Sequence, residues 1–156
     1  HNYLMLKKIF FIIILLNLLN HCDYKPVYSN QNKANYKIII ESFSGDKDIN
    51  NFIIANLKRN SQENSEKIVN IVLDTKYTKK VLAKNSAGSI TDFQTNVQTI
   101  FIIKNGNNSE NFSVKEKFNF KKMTDKYEEK NYERKIKENL ANSISQKLIL
   151  RLAVIK

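Results

Sequence analysis

Between residues 67 and 84, apolar and polar side chains alternate with period two. Val69, Ile71, Leu73 and Tyr77 fall on one face, with Thr75 between the last two, and Asn70, Asp74 and Lys76 fall on the other. This is the pattern of a long strand with one buried face. It recurs over 90–104, where Phe93, Val97, Phe101 and Ile103 point one way and Gln94, Asn96 and Gln98 the other. It recurs again in Phe112, Val114, Phe118 and Phe120. A shorter β-branched run, Tyr36-Lys-Ile-Ile-Ile-Glu-Ser, predicts a first strand. Two segments change to helical spacing. Ile49, Phe52, Ile53 and Leu57 form one stripe, with Asp46 or Asp48 available as N-cap. Ile136, Leu140, Ile144, Leu148 and Leu152 form another, joined by Ala141 and Ile149, in a helix predicted from about 125 to 153 and capped by Thr124 or Asp125. The first half of that helix is highly charged, and it is expected to run beyond the sheet edge or to fray.

The connections carry their own signals. Ser44-Gly-Asp-Lys-Asp breaks the first strand, Ser86-Ala-Gly-Ser turns the chain, and Asn105-Gly-Asn-Asn supplies the positive φ that a tight hairpin needs. All three glycines lie at connections inferred from periodicity alone. The predicted order is β-α-β-β-β-α. The fold class is α+β, a two-layer α/β sandwich with a four-stranded, largely antiparallel sheet. Each helix has one stripe to bury, so both are expected on the same sheet face.

Ahead of this domain lies a different composition. Lys7 and Lys8 precede the apolar run 9–19, which ends near Cys22, the single cysteine. As a helix the run spans about 16 Å, short of the roughly 20 residues a bilayer-spanning helix needs but suited to the apolar core of an export signal. A basic start, a short apolar run and then a cysteine is the layout of a bacterial lipoprotein signal. Met5 is the expected start residue. Residues 1–21 are read as a lipoprotein signal peptide, 22–35 as an extended tether after a lipidated Cys22, and 36–156 as the folded domain. Pro26 favours an extended path through the tether.

Composition then narrows the chemistry. The two histidines, His1 and His21, both lie in the segment expected to be removed. A mature chain with no histidine and an acylated cysteine has no His-dependent triad, no Cys-His dyad and none of the usual zinc sites. Three glycines leave no Gly-rich phosphate loop. The chain is therefore read as a non-enzyme without cofactor, carrying only the covalent lipid on Cys22. Its formal charge of +11 falls by two when Lys7 and Lys8 leave. A basic surface favours anionic partners, but a chain rich in Lys, Asn and Ile also reads as an ordinary solvated surface.

The residues after the apolar run carry a resemblance. Cys22-Asp-Tyr-Lys-Pro-Val-Tyr resembles the Cys-Gly-aromatic-basic-Pro-aliphatic-Tyr opening of LptE proteins, the LPS-assembly lipoproteins of Gram-negative outer membranes. The β-α-β-β-β-α order, Ser86-Ala-Gly-Ser-Ile-Thr between the long strands, and the closing Asn139-Leu-Ala-Asn-Ser-Ile-Ser-Gln-Lys-Leu are similar to that family too. Asp23 stands where the family has a small residue, and Asn20-His21 depart from the usual small residues before the cysteine. The resemblance implies a protein lipid-anchored on the periplasmic side of the outer membrane. It implies two partners: the LptD β-barrel, which such a protein plugs, and lipopolysaccharide, which it helps place in the outer leaflet.

On that reading Gln94, Asn96 and Gln98 face the partner, since a plug must present polar groups to a wet lumen; an ordinary solvent-facing sheet surface fits them equally. Lys76, Lys79, Lys80 and Lys84 lead into the Ser86–Ser89 turn and are candidates to meet lipopolysaccharide phosphates as point charges; a solvated strand end is the alternative. Two other functions stay open. One is an auxiliary lipoprotein of another envelope lipid-transport system. The other is a cytoplasmic nucleic-acid-binding domain, which requires aromatics interleaved with lysines on an exposed face. Phe112, Phe118 and Phe120 alternate instead as core residues would, so no nucleic-acid partner is expected.

Overall fold

The computed structural model describes residues 36–154, and the expected signal peptide, Cys22 and the expected tether lie outside the described residues. Six elements follow in the predicted order. They are β1 (Lys37–Gly45), α1 (Lys47–Asn60), β2 (Ile68–Lys84), β3 (Ile90–Asn105), β4 (Asn108–Lys121) and α2 (Lys126–Val154). The strands form one sheet in the order β1-β2-β3-β4. β2–β3 and β3–β4 are antiparallel hairpins, as their short glycine-bearing turns require. β1 and β2 are parallel, with α1 as the crossover that parallel neighbours need.

Period two decides which side of the sheet is buried. Val69, Ile71, Leu73 and Thr75 of β2 are buried together with Val97, Phe101 and Ile103 of β3 and Val114 and Phe120 of β4. Ile49, Ile53 and Leu57 of α1 and the whole predicted α2 stripe from Ile136 to Leu152 complete a single core. Both helices thus cover one face, and among the described residues no layer covers the other. Within the core the Thr75 and Thr99 hydroxyls are 2.9 Å apart and satisfy one another.

Asp46 caps α1, its Oδ1 accepting from the Ile49 backbone N–H at 3.0 Å. Asp125 caps α2, accepting from Tyr127 at 2.6 Å and Glu128 at 3.0 Å. Two expectations need correction. Phe118 shares the inward face of β4 but is 40% exposed, because an edge strand leaves one flank of the ring without a neighbour. The charged first half of α2 does not run past the sheet. Glu129, Glu133 and Lys137, spaced by one turn, continue the buried stripe in polar form and face the sheet.

Candidate functional site

The uncovered face is built from the even residues of β2 and β3 and the odd residues of β4. Register sets them in rows. Lys76 lies opposite Gln98, which lies opposite Lys115; Thr78, Asn96 and Lys117 form the next row; Lys80, Gln94 and Asn119 form the third. Directly opposite side chains on one face sit about 5 Å apart at Cβ. The amides form a floor that is partly self-bonded, with Gln94 donating to Asn119 at 2.9 Å and Gln98 to the Ser113 hydroxyl at 3.4 Å. A shallow depression opens over this floor, lined by Lys76, Thr78, Asn96, Gln98, Lys115 and Lys117. Lys76, Lys80, Lys115 and Lys117 are exposed, and none of them has an ion pair among the described residues. Beyond the first row, Asp74, Ile100 and Ser113 form the next row and Val72, Ile102 and Asn111 the one after. The open face therefore joins a basic, amide-rich area to rows in which Val72, Ile100 and Ile102 lie among polar neighbours.

The structure brings together most of the residues singled out from sequence. Gln94, Asn96, Gln98, Lys76 and Lys80 share this face. Lys84 lies farther along, where β2 closes onto β3 opposite Ile90. Its approach is irregular, since the register slips on either side of Ala83, and a bulge of this kind bends the strand and re-aims side chains. The tip is held by Asn85, whose Oδ1 accepts from the Ala87 and Ser89 backbones.

Lys79 is not with the others. It lies on the helix-covered face, donating to Glu129 at 3.0 Å and Glu133 at 2.9 Å and standing 4.3 Å from the centre of the Phe93 ring. Beside it the Tyr77 hydroxyl donates to Glu133 at 2.5 Å. Lys137 bonds Asp46 at 2.8 Å and lies over the Tyr77 ring. This network fastens the first half of α2 to the sheet and to the cap of α1. Burial pushes the Glu133 carboxyl up, but the bonds from Tyr77 and Lys79 and the charges of Lys79 and Lys137 outweigh it and hold the group below the ordinary carboxylate range. Glu129 behaves alike, with burial opposed by Lys79 and the Met123 backbone N–H. For Lys79 burial favours the neutral form, and the two carboxylates overcome it and hold the ammonium above its usual value. Burial, with Glu133 as acceptor and neighbouring charge, keeps the Tyr77 hydroxyl protonated far above its normal range.

The sign of the resulting pH dependence follows. Carboxylates with folded pKa below their unfolded value stabilise the fold fully above the ordinary carboxylate range, and that stability is lost as pH falls through the folded values. Glu129→Gln/Glu133→Gln is expected to flatten the acid limb. Between neutral pH and about pH 3, the native protein should lose roughly 1–2 kcal/mol more than the double variant, with partial solvent screening allowed for. Urea unfolding at both pH values measures this, and equal acid losses in the two proteins would remove these carboxylates from the account.

Periodicity alone does not single out Lys115 and Lys117. Their signal is present in the polar odd positions of β4, but only the register fixed by the Asn105–Asn108 turn sets them beside Gln98 and Asn96. Cys22 lies outside the described residues. Among the described residues, no helix is long and apolar enough to cross a membrane.

These features define a two-layer α+β domain with one naked, basic sheet face. A solved structure of a bacterial lipoprotein shares this fold. Rare lipoprotein B from Shewanella oneidensis superposes with a TM-score of 0.51 at 12% identity, over 72% of this chain and 92% of that one. Lipoprotein B from Nitrosomonas europaea is a weaker match, with a TM-score of 0.47 at 13% identity over 78% of this chain and 90% of that one. No protein-family model matches the chain, and no curated protein sequence does.

Proposed function

We propose that this chain is a lipid-anchored envelope lipoprotein of the LptE kind, held through Cys22 on the periplasmic side of the outer membrane. There it seats in the lumen of the LptD β-barrel and assists placement of lipopolysaccharide in the outer leaflet. The observation that carries the reading is the open sheet face. A face left bare by both helices, paved with Gln94, Asn96 and Gln98 and edged by lysines without ion pairs, suits a wet barrel lumen better than a dry protein interface. Lys76, Lys80, Lys115 and Lys117 supply point charges for lipid phosphates, and Val72, Ile100 and Ile102 beyond them offer apolar contact to an acyl chain. The likeness to rare lipoprotein B supports the fold on which this reading rests. The protein acts by binding and positioning, with no reaction of its own and no cofactor beyond the lipid.

The test is affinity purification from detergent-solubilised membranes, with mass spectrometry of the retained proteins and of the Cys22 peptide. A large β-barrel recovered near one-to-one and an acyl mass on Cys22 are expected. Asn96→Trp, which puts bulk in the centre of the face without touching the core, should release the barrel and leave the melting temperature unchanged. Recovery of inner-membrane transporter subunits alone would move the protein to another lipid-transport system. Recovery of nucleic acid would remove it from the envelope.

A further inference from the structure

The sheet has two edges of different character. β1 runs for 9 residues and its pairing slips between Ile40 and Ser42. β4 runs for 14 residues and pairs with β3 without a slip, from Asn108 opposite Asn105 to Lys121 opposite Asp92. Among the described residues, no strand lies on its other side. Among the described residues, no loop or cap bonds the backbone of residues 108–121; the Thr95 hydroxyl alone donates to the Phe118 carbonyl, at 3.2 Å. An edge strand of this kind turns alternate N–H and C=O groups outward, a ready template for another chain.

Proteins block such edges with short strands, prolines, bulges or charge. β4 is long, has no proline and has no bulge against β3. What it has is charge, and on the open face that charge is of one sign, from Lys115, Lys117 and Lys121. Its glutamates lie on the opposite face and are already engaged, Glu110 by Arg151 and Glu116 by Lys147 and Ser143. The free charge on the edge is therefore wholly positive. A second copy pairing through β4 would set lysines among lysines, whereas a strand bearing carboxylates at alternate positions would set opposite charges side by side. Phe118, 40% exposed on the other face, offers the same strand an apolar neighbour.

We propose that the β4 edge receives an extended acidic segment of another protein as a fifth strand. Its carboxylates stand beside Lys115, Lys117 and Lys121 and an apolar residue stands beside Phe118. Backbone pairing supplies the hold and alternate side chains supply the selection, as in strand addition generally.

The test uses the full chain in detergent and the blocked peptide Glu-Val-Thr-Val-Glu-Thr-Glu, whose carboxylates match the three lysines in an antiparallel register. The control peptide has the same composition with its glutamates in one block. The matched peptide should bind and slow amide exchange within residues 115–121, and the control should bind at least about tenfold more weakly. Lys115→Glu/Lys117→Glu should weaken the matched peptide about tenfold. Equal affinity for the two peptides, or binding that leaves β4 exchange unchanged, would reduce the edge to a diffuse positive surface and overturn the proposal. Protection of β4 that grows with protein concentration in the absence of peptide would assign the edge to a second copy and overturn it as well.

Discussion

Leu148→Asp is expected to remove about 4–5 kcal/mol of stability, the sum of lost apolar burial and the burial of a polar group without a partner. Leu148 has no exposed surface and stands in the stripe through which α2 meets the sheet. The loss has two parts. Full burial of a leucine contributes about 2–3 kcal/mol. The carboxyl that replaces it falls within the apolar cluster that holds Ile144, Leu152 and the sheet-side core. A domain of this size has about 5–15 kcal/mol in all, so this one change should remove from about a third to nearly all of it. Leu150→Asp is the matched control. Two residues away, Leu150 is 57% exposed, and the same chemical change there should stay within about 0.5 kcal/mol. Urea unfolding of the two variants compares them directly. Similar losses at both positions would mean that the buried face of α2 has been misassigned, and with it the face of the sheet that remains open.

That comparison matters for function because the open face is defined by what the helices cover. Much of the division is legible in the order of residues alone. Period two in β2, β3 and β4 and the i, i+4 stripe of α2 each allow one buried side, and the glycines at positions 45, 88 and 106 mark the turns between them. Gln94, Asn96 and Gln98 fall on the outer face because their neighbours Phe93, Val97 and Phe101 can only go inward.

What is not legible depends on register or on pairing at a distance. Lys79 shares parity with Tyr77 and so with the core, yet it reads in sequence as one more lysine near a basic hairpin tip. What makes an inward ammonium tolerable is a pair of carboxylates 50 and 54 residues away in α2. For the same reason the first half of α2 reads in sequence like a helix leaving the sheet. Glu129, Glu133 and Lys137 are in phase with Ile136 and Leu140, but a polar continuation of a buried stripe is recognisable only when its partners are known. Lys115 and Lys117 escape periodicity for a simpler reason. Each strand gives its own two faces, and only the cross-strand register joins the face of one strand to that of the next.

Gly45→Ala is expected to cost roughly 3 kcal/mol or more, because left-handed strain and a steric clash fall on the same residue. Gly45 has φ +89°, and a Cβ placed there would stand 1.9 Å from the Thr75 carbonyl oxygen. That oxygen cannot withdraw. Gly45 pairs with Thr75 where β1 ends, and the same carbonyl accepts from the Asp46 N–H at 2.8 Å. The opposing atom is sheet backbone, so the chain at 45–46 must move instead. Movement there displaces Asp46, which both caps α1 through Ile49 and binds Lys137 of α2. A one-carbon addition at a turn therefore strikes the point where strand, crossover helix and closing helix are joined. Gly88→Ala isolates the left-handed strain. Gly88 has a similar φ of +79° but nothing within 4 Å of the added carbon, so it should lose only about 1–2 kcal/mol from left-handed strain. If thermal unfolding shows the two alanine variants equally destabilised, backbone conformation alone makes glycine necessary at both turns. A loss at Gly45 that clearly exceeds the loss at Gly88, together with amide exchange rising first at the start of α1, would establish the close approach to Thr75 as the element that fixes α1 against the sheet.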